Sequence, residues 1–218
     1  MTNITTLRPG EHFMFKGFEW VCLDPNHPDG GVLAIMAEPC AKDVKFCPGV
    51  SFADEEGNWN NYRTSNVRWI LSDMVDSVFE RKSLLLHTVD LVADNGDCAY
   101  GKVKDPLFIL TCDEYRKYRE FIPHYDSLIW TATPLCCGDK DSDTGFASHV
   151  RSMSVSGKLY NSNTCATTNT SVMVTITACT VQWIVDNFSM AIGAVSLRME
   201  LAQKSSHGQI CRSTTPRR

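Results

Sequence analysis

The sequence predicts an α+β fold, mostly antiparallel sheet with two main helices. Three observations carry this. Apolar residues alternate with period two near both ends of the chain, two stretches between them have helical apolar spacing, and the order is strands, then helices, then strands, rather than the regular β-α alternation of a doubly wound sheet.

The first strands lie in "EHFMFKGFEWVCLD". There Phe13 and Phe15, then Phe18, Trp20 and Cys22, alternate with polar residues on either side of Lys16-Gly17, which suits a tight hairpin. After the Pro/Gly-rich break "DPNHPDGG", the run "GVLAIMAE" reads as a more buried third strand, and an irregular stretch follows from Pro39 to Tyr62. Ser65 is placed to cap a helix over 66–80, whose Val67, Ile70, Leu71, Met74, Val75, Val78 and Phe79 form one apolar stripe. A second helix is expected in "CDEYRKYREFI", with Asp113 and Glu114 at the positive end of its dipole and Pro123 closing it. Between the helices a turn-rich loop and the short strand "LFIL" are expected.

Beyond the second helix, "SLIWTAT" reads as a strand stopped by Pro134, and "FASHVRSMSVSGKLYNSN" as a hairpin turning near Ser156-Gly157. In "SVMVTITACTVQWIVD", Val172, Val174, Ile176 and Ala178 share a face. The apolar face then slips one register at Val181, Trp183 and Val185, so a bulge or a break is expected near Thr180.

Composition bounds the function. At 218 residues, 43% apolar and 21% charged, the chain can build one sizeable core, and a net charge of −4 leaves no overall footprint for nucleic acid or an anionic membrane. Residues 198–218 hold five Lys/Arg against Glu200 alone, in a polar Ser/Thr-rich tail without the aromatics that stack on bases. The ten cysteines include no C-x-x-C pair, and the N-terminus has no apolar core of a signal peptide. A soluble chain, cytoplasmic when made and with reduced thiols, is expected, with neither membrane nor nucleic acid as partner. G-x-G-x-x-G, P-loop, H-E-x-x-H and G-x-S-x-G signatures are absent.

Four stretches, "NNYRTSNVRWIL", "DEYRKYREFIP", "WTATP" and "HVRSMSVSGKLY", resemble in that order the landmarks of an uncharacterised bacterial and phage domain family. That family is similar to the C-type-lectin-like, formylglycine-generating-enzyme-like superfold, which also houses the variable proteins of diversity-generating retroelements. The resemblance implies a single C-type-lectin-like domain over 11–185, a lead-in at 1–10 and a tail at 186–218. This chain departs from it at "NTSVMVTITACTVQW", where relatives close with a Val-Arg-Pro-like motif. The resemblance implies a ligand-recognition module without catalysis, encoded by a phage or mobile element. Its alternatives are a cysteine oxidase of the formylglycine-generating type and a structural virion component.

Three candidate sites follow. Asp139, Asp141 and Asp143 alternate as oxygen ligands of a calcium loop do, although Gly145 and Val150 do not fit an EF-hand and a solvated acidic turn competes with this reading. Cys136 and Cys137 would serve the oxidase alternative, yet adjacent side chains on a strand point to opposite faces. His124 and His149 have no nucleophile at a defensible spacing. The third candidate is a binding face made by the late hairpin with His149, Arg151, Met153, Tyr160, Asn161 and Asn163, together with Trp130. Such Tyr-, Asn- and Arg-rich surfaces make adaptable contacts with a protein or glycan, a host cell surface among them. Calcium is the one cofactor that the residues suggest, and a homo-oligomer stays open.

Overall fold

The computed structural model describes residues 6–138, 147–154, 156–164, 172–174 and 177–180. Strands β1 (His12–Phe15) and β2 (Phe18–Asp24) form the expected hairpin. Lys16 and Gly17 both have positive φ, 52° and 81°, as a two-residue turn matched to the strand twist requires. Strand β3 (Val32–Met36) is buried along its whole length and pairs antiparallel with β2.

Helix α1 (Asn66–Ser77) starts where Ser65 accepts the Arg68 N–H at 3.1 Å, and it buries Val67, Ile70, Leu71, Met74 and Val75. A cap of this kind stabilises by about 1 kcal/mol, whereas each fully buried aliphatic side chain contributes roughly 1.5–3 kcal/mol, so the stripe dominates. The helix stops three residues short of the expected 80. Val78 leaves helical geometry, and Phe79 turns into an aromatic cluster, 5.8 Å from the Phe18 ring and 5.9 Å from those of Phe15 and Trp20.

The turn-rich region holds more order than expected. β4 (Leu84–Leu85) is followed by β5 (His87–Asp90), which pairs with β6 (Lys102–Asp105) as a two-stranded ribbon, and then by β7 (Leu107–Phe108). Helix α2 (Cys112–Tyr118) ends before Pro123. Its start is a capping box, in which Thr111 Oγ1 accepts from the Glu114 N–H and the Glu114 carboxylate accepts from the Thr111 N–H.

β8 (Leu128–Pro134), β9 (His149–Met153) and β10 (Leu159–Asn163) give the expected strand and late hairpin. The final apolar stretch does not run as one strand from 172 to 180, and the slip expected near Thr180 lies outside the described residues. β11 (Val172–Met173) pairs parallel with β8, while β12 (Thr177–Thr180) pairs antiparallel with β3, β4 and β7. The chain thus changes sheets between 174 and 177, and Ile176, Val181, Trp183 and Val185 lie outside the described residues.

One sheet therefore runs β1-β2-β3-β12-β4, with β7 also on β12, and a second runs β10-β9-β8-β11. The fold is α+β, and every strand pair among the described residues is antiparallel except β11 with β8. One apolar cluster extends from Leu7 to Val174. No helix among the described residues is long and apolar enough to cross a membrane.

Candidate functional site

The pleat of the second sheet sorts the expected binding residues. Asn161 lies opposite Arg151, Asn163 opposite His149 and Leu159 opposite Met153, so His149, Arg151, Met153, Asn161 and Asn163 share one face. Tyr160 lies opposite Ser152, and Ser152 opposite Trp130, so these two aromatic residues belong to the other face. Trp130 is not on a surface. It is 3% exposed, donates Nε1–H to the Val44 carbonyl at 2.7 Å and packs edge-on to Phe46, because that face covers the core. Tyr160 is 40% exposed.

The face with Arg151 is also partly covered, since α2 lies along it. The Cys112 N–H donates to Thr133 Oγ1 at 2.9 Å, and Met153, 3% exposed, shares with Tyr115, Ile122 and Ile129 the lining of a cavity of about 310 Å³. Met153 is therefore a packing residue rather than a contact for a large ligand.

At the other end of α2 lies a second cleft of about 470 Å³, lined by Thr88, Asp90, Asp94, Thr111, Cys112, Asp113, Glu114, Arg116 and Thr133 among others. Arg151 joins it to the hairpin by donating through Nη1 to Asn161 Oδ1 at 2.5 Å and through Nη2 to Asp94 Oδ2. Arg116 continues the chain of charges, 2.8 Å from Asp113 and 3.7 Å from Asp94. The rim thus offers both charge signs and amide groups on rigid elements. Burial pushes the Cys112 thiol above its ordinary pKa, which keeps it protonated and unlike an activated nucleophile.

Asn60 anchors the irregular segment against this sheet. It is fully buried, donates Nδ2–H to the carbonyls of Cys136 (2.9 Å) and His149 (3.1 Å), and accepts the Tyr100 hydroxyl at 2.7 Å. Cys136 and Cys137 lie in a bend after β8 rather than on a strand. Burial raises the Cys137 pKa, and its Sγ lies 3.7 Å from the Asp97 carbonyl. Asp139, Asp141 and Asp143 lie outside the described residues.

A second polar cluster sits behind the cleft. His87, 7% exposed and stacked on Phe108 with centroids 4.2 Å apart, places Nδ1 2.7 Å from Asp29 Oδ2 and Nε2 2.6 Å from Glu114 Oε1. His27 places Nδ1 3.2 Å from the same Asp29 oxygen, with the two imidazoles 5.3 Å apart. Burial disfavours a charged His87, but hydrogen bonds and charges from Glu114 and Asp29 outweigh it and raise its pKa. Burial lowers the pKa of His27, with Asp29 opposing and the neighbouring His87 adding to the decrease. Sequence reasoning passed over this cluster. Its local trace was the His-x-Asp spacing inside the Pro/Gly-rich break.

No family model matches this chain, and neither does a curated protein or a solved structure.

Proposed function

We propose that the protein is a non-catalytic recognition module of C-type-lectin-like architecture that binds a protein or glycan at the junction of the late hairpin and the cleft beside α2. The observation that carries this reading is the Asn161–Arg151–Asp94 relay, which couples an exposed hairpin strand to a cleft of about 470 Å³ lined by both apolar and charged side chains. A concave site with a few fixed polar groups suits oriented hydrogen bonding to hydroxyls or peptide groups. The architecture finds support in the sheet shared by the first three strands and β12, with the late hairpin in a second sheet. A phage or mobile-element origin, and a host cell surface as target, accord with the sequence resemblance. The protonated, buried thiols of Cys112 and Cys137 favour recognition over a cysteine-based oxidase.

The test is a glycan array together with an immobilised peptide library, probed with the full chain and with Asn161→Ala and Arg116→Glu. Binding to a defined glycan or peptide that both variants weaken at least tenfold, with unchanged melting temperature, supports the reading. Absence of binding on both platforms, or binding indifferent to both substitutions, sinks it.

A further inference from the structure

We propose that His27, Asp29 and His87 form a binding site for a divalent transition-metal ion of the zinc type, with Glu114 orienting His87 from outside the coordination sphere. Each residue offers one donor atom, and these donors all lie within 4.8 Å of one another. Around a tetrahedral zinc, with bonds of about 2.0–2.2 Å, neighbouring donors stand roughly 3.3 Å apart. The observed separations from Asp29 Oδ2, 3.2 Å to His27 Nδ1 and 2.7 Å to His87 Nδ1, lie just below and about half an ångström below that value. The Asp29 carboxylate and the His87 ring therefore have to part by roughly half an ångström to admit the ion, a displacement within reach of side-chain rotation.

The donor set selects the metal class. Two imidazoles and one carboxylate suit zinc and its first-row neighbours, whereas calcium and magnesium prefer oxygen ligands throughout. Three protein ligands leave a fourth tetrahedral position for water.

The surroundings already have the form that metal-ligating histidines need. Glu114 Oε1 holds the His87 Nε2–H at 2.6 Å, which turns Nδ1 toward Asp29. Glu114 is itself fixed, because its other oxygen accepts from the Thr111 N–H and hydroxyl at 2.8 Å each. Stacking on Phe108 sets the plane of the His87 ring. His27 is held by its loop, where its N–H donates to the Gly31 carbonyl at 3.0 Å and its carbonyl accepts the Gly30 N–H at 2.8 Å. The Asp29 N–H donates to His27 Nδ1 at 3.4 Å, so that nitrogen is an acceptor there, and a metal would displace this long hydrogen bond to take the same lone pair.

Without a metal, His87 can satisfy both carboxylates only as an imidazolium, donating from each nitrogen. An incoming ion takes the place of the Nδ1 proton, which leaves to solvent, while Nε2–H stays on Glu114. The site would tie the β2–β3 loop to β5 and to the start of α2, three segments distant in sequence.

The test is titration of the chelator-treated, fully reduced chain with cobalt(II), then with zinc(II) against a chromophoric chelator, alongside thermal melts. One equivalent of cobalt should give tetrahedral ligand-field absorption without a thiolate charge-transfer band, and zinc should raise the melting temperature. Glu114→Gln, which retains the capping box, should weaken zinc binding about 10- to 100-fold. His27→Ala and Asp29→Asn, each removing a ligand from the half-open side, should weaken it more. Absence of saturable binding, a cobalt-thiolate signature, or binding unchanged in His27→Ala and Asp29→Asn would overturn the proposal.

Discussion

Arg68 and Asp105 meet through two parallel hydrogen bonds, Nε to Oδ2 and Nη2 to Oδ1, each 2.8 Å long, and so clamp α1 to β6. The same guanidinium donates through Nη1 to the Arg63 carbonyl at 2.9 Å, and Arg63 in turn donates to the carbonyls of Tyr100 and Lys102. Only 8% of Asp105 is exposed, so removing its partner strands a carboxylate away from water. Arg68→Ala should cost about 2–4 kcal/mol in chemical denaturation. Arg68→Lys should recover only part of this, because an ammonium cannot reproduce the two-pronged geometry. A lysine variant as stable as the parent would refute the clamp.

Asn60 uses both ends of its amide. Asn60→Ala removes three hydrogen bonds at once, with the Tyr100 hydroxyl and the carbonyls of Cys136 and His149, and should destabilise by about 2–3 kcal/mol even though the His149 carbonyl keeps the Leu135 N–H. Tyr100→Phe, which removes one of those bonds and keeps the ring, should cost about 1 kcal/mol. Equal losses from the two substitutions would show that the carbonyl contacts contribute nothing.

Gly157 turns the late hairpin at φ 74°, where a Cβ would sit 2.6 Å from the Tyr115 hydroxyl oxygen. Gly157→Ala should therefore cost about 1–3 kcal/mol, from the backbone conformation and from displacement of a ring on α2. Combining it with Tyr115→Phe should relieve part of the penalty. Strict additivity in a double-mutant cycle would mean that the two residues do not meet.

Thiol reactivity should follow burial. The pKa values of Cys22 and Cys40 are pushed up to about 12, chiefly by desolvation, whereas Cys98 is exposed. At pH 8 a thiol with a pKa of about 12 is thiolate in roughly one molecule in ten thousand, so alkylation of the folded chain should reach Cys98 long before Cys22 or Cys40. Peptide mapping by mass spectrometry after timed labelling reads this directly. Labelling of Cys22 at the pace of Cys98, with the fold intact, would contradict the packing of β2.

What was legible in the sequence was what neighbours in the chain decide. Lys16-Gly17 marks its hairpin because few other turns fit two residues, and Ser65 marks α1 because its oxygen needs only the N–H three residues on. The β5–β6 ribbon escaped notice because "HTVD" and "KVKD" are too short and too polar for alternation to stand out. The faces of the late hairpin were harder still. Period two places Arg151 and Met153 together, but that Met153 is buried beside Tyr115 of α2, and that Trp130 faces inward, depends on contacts between distant segments. The His27–Asp29–His87 cluster was hidden for the same reason, since 58 positions separate Asp29 from the histidine it meets.

The placement of β12 has a consequence for how the molecule is made. This strand fills the slot between β3 on one side and β4 and β7 on the other, although it is the last of the described strands to be synthesised. In a nascent chain that has not reached residue 177, the edge of β3 that β12 pairs has no strand to meet. Native sheet order therefore waits on long-range closure, the slow step of β topologies. A ribosome stalled upstream of Thr177, or a stop codon there, would release a chain with an exposed β3 edge that invites pairing with another chain.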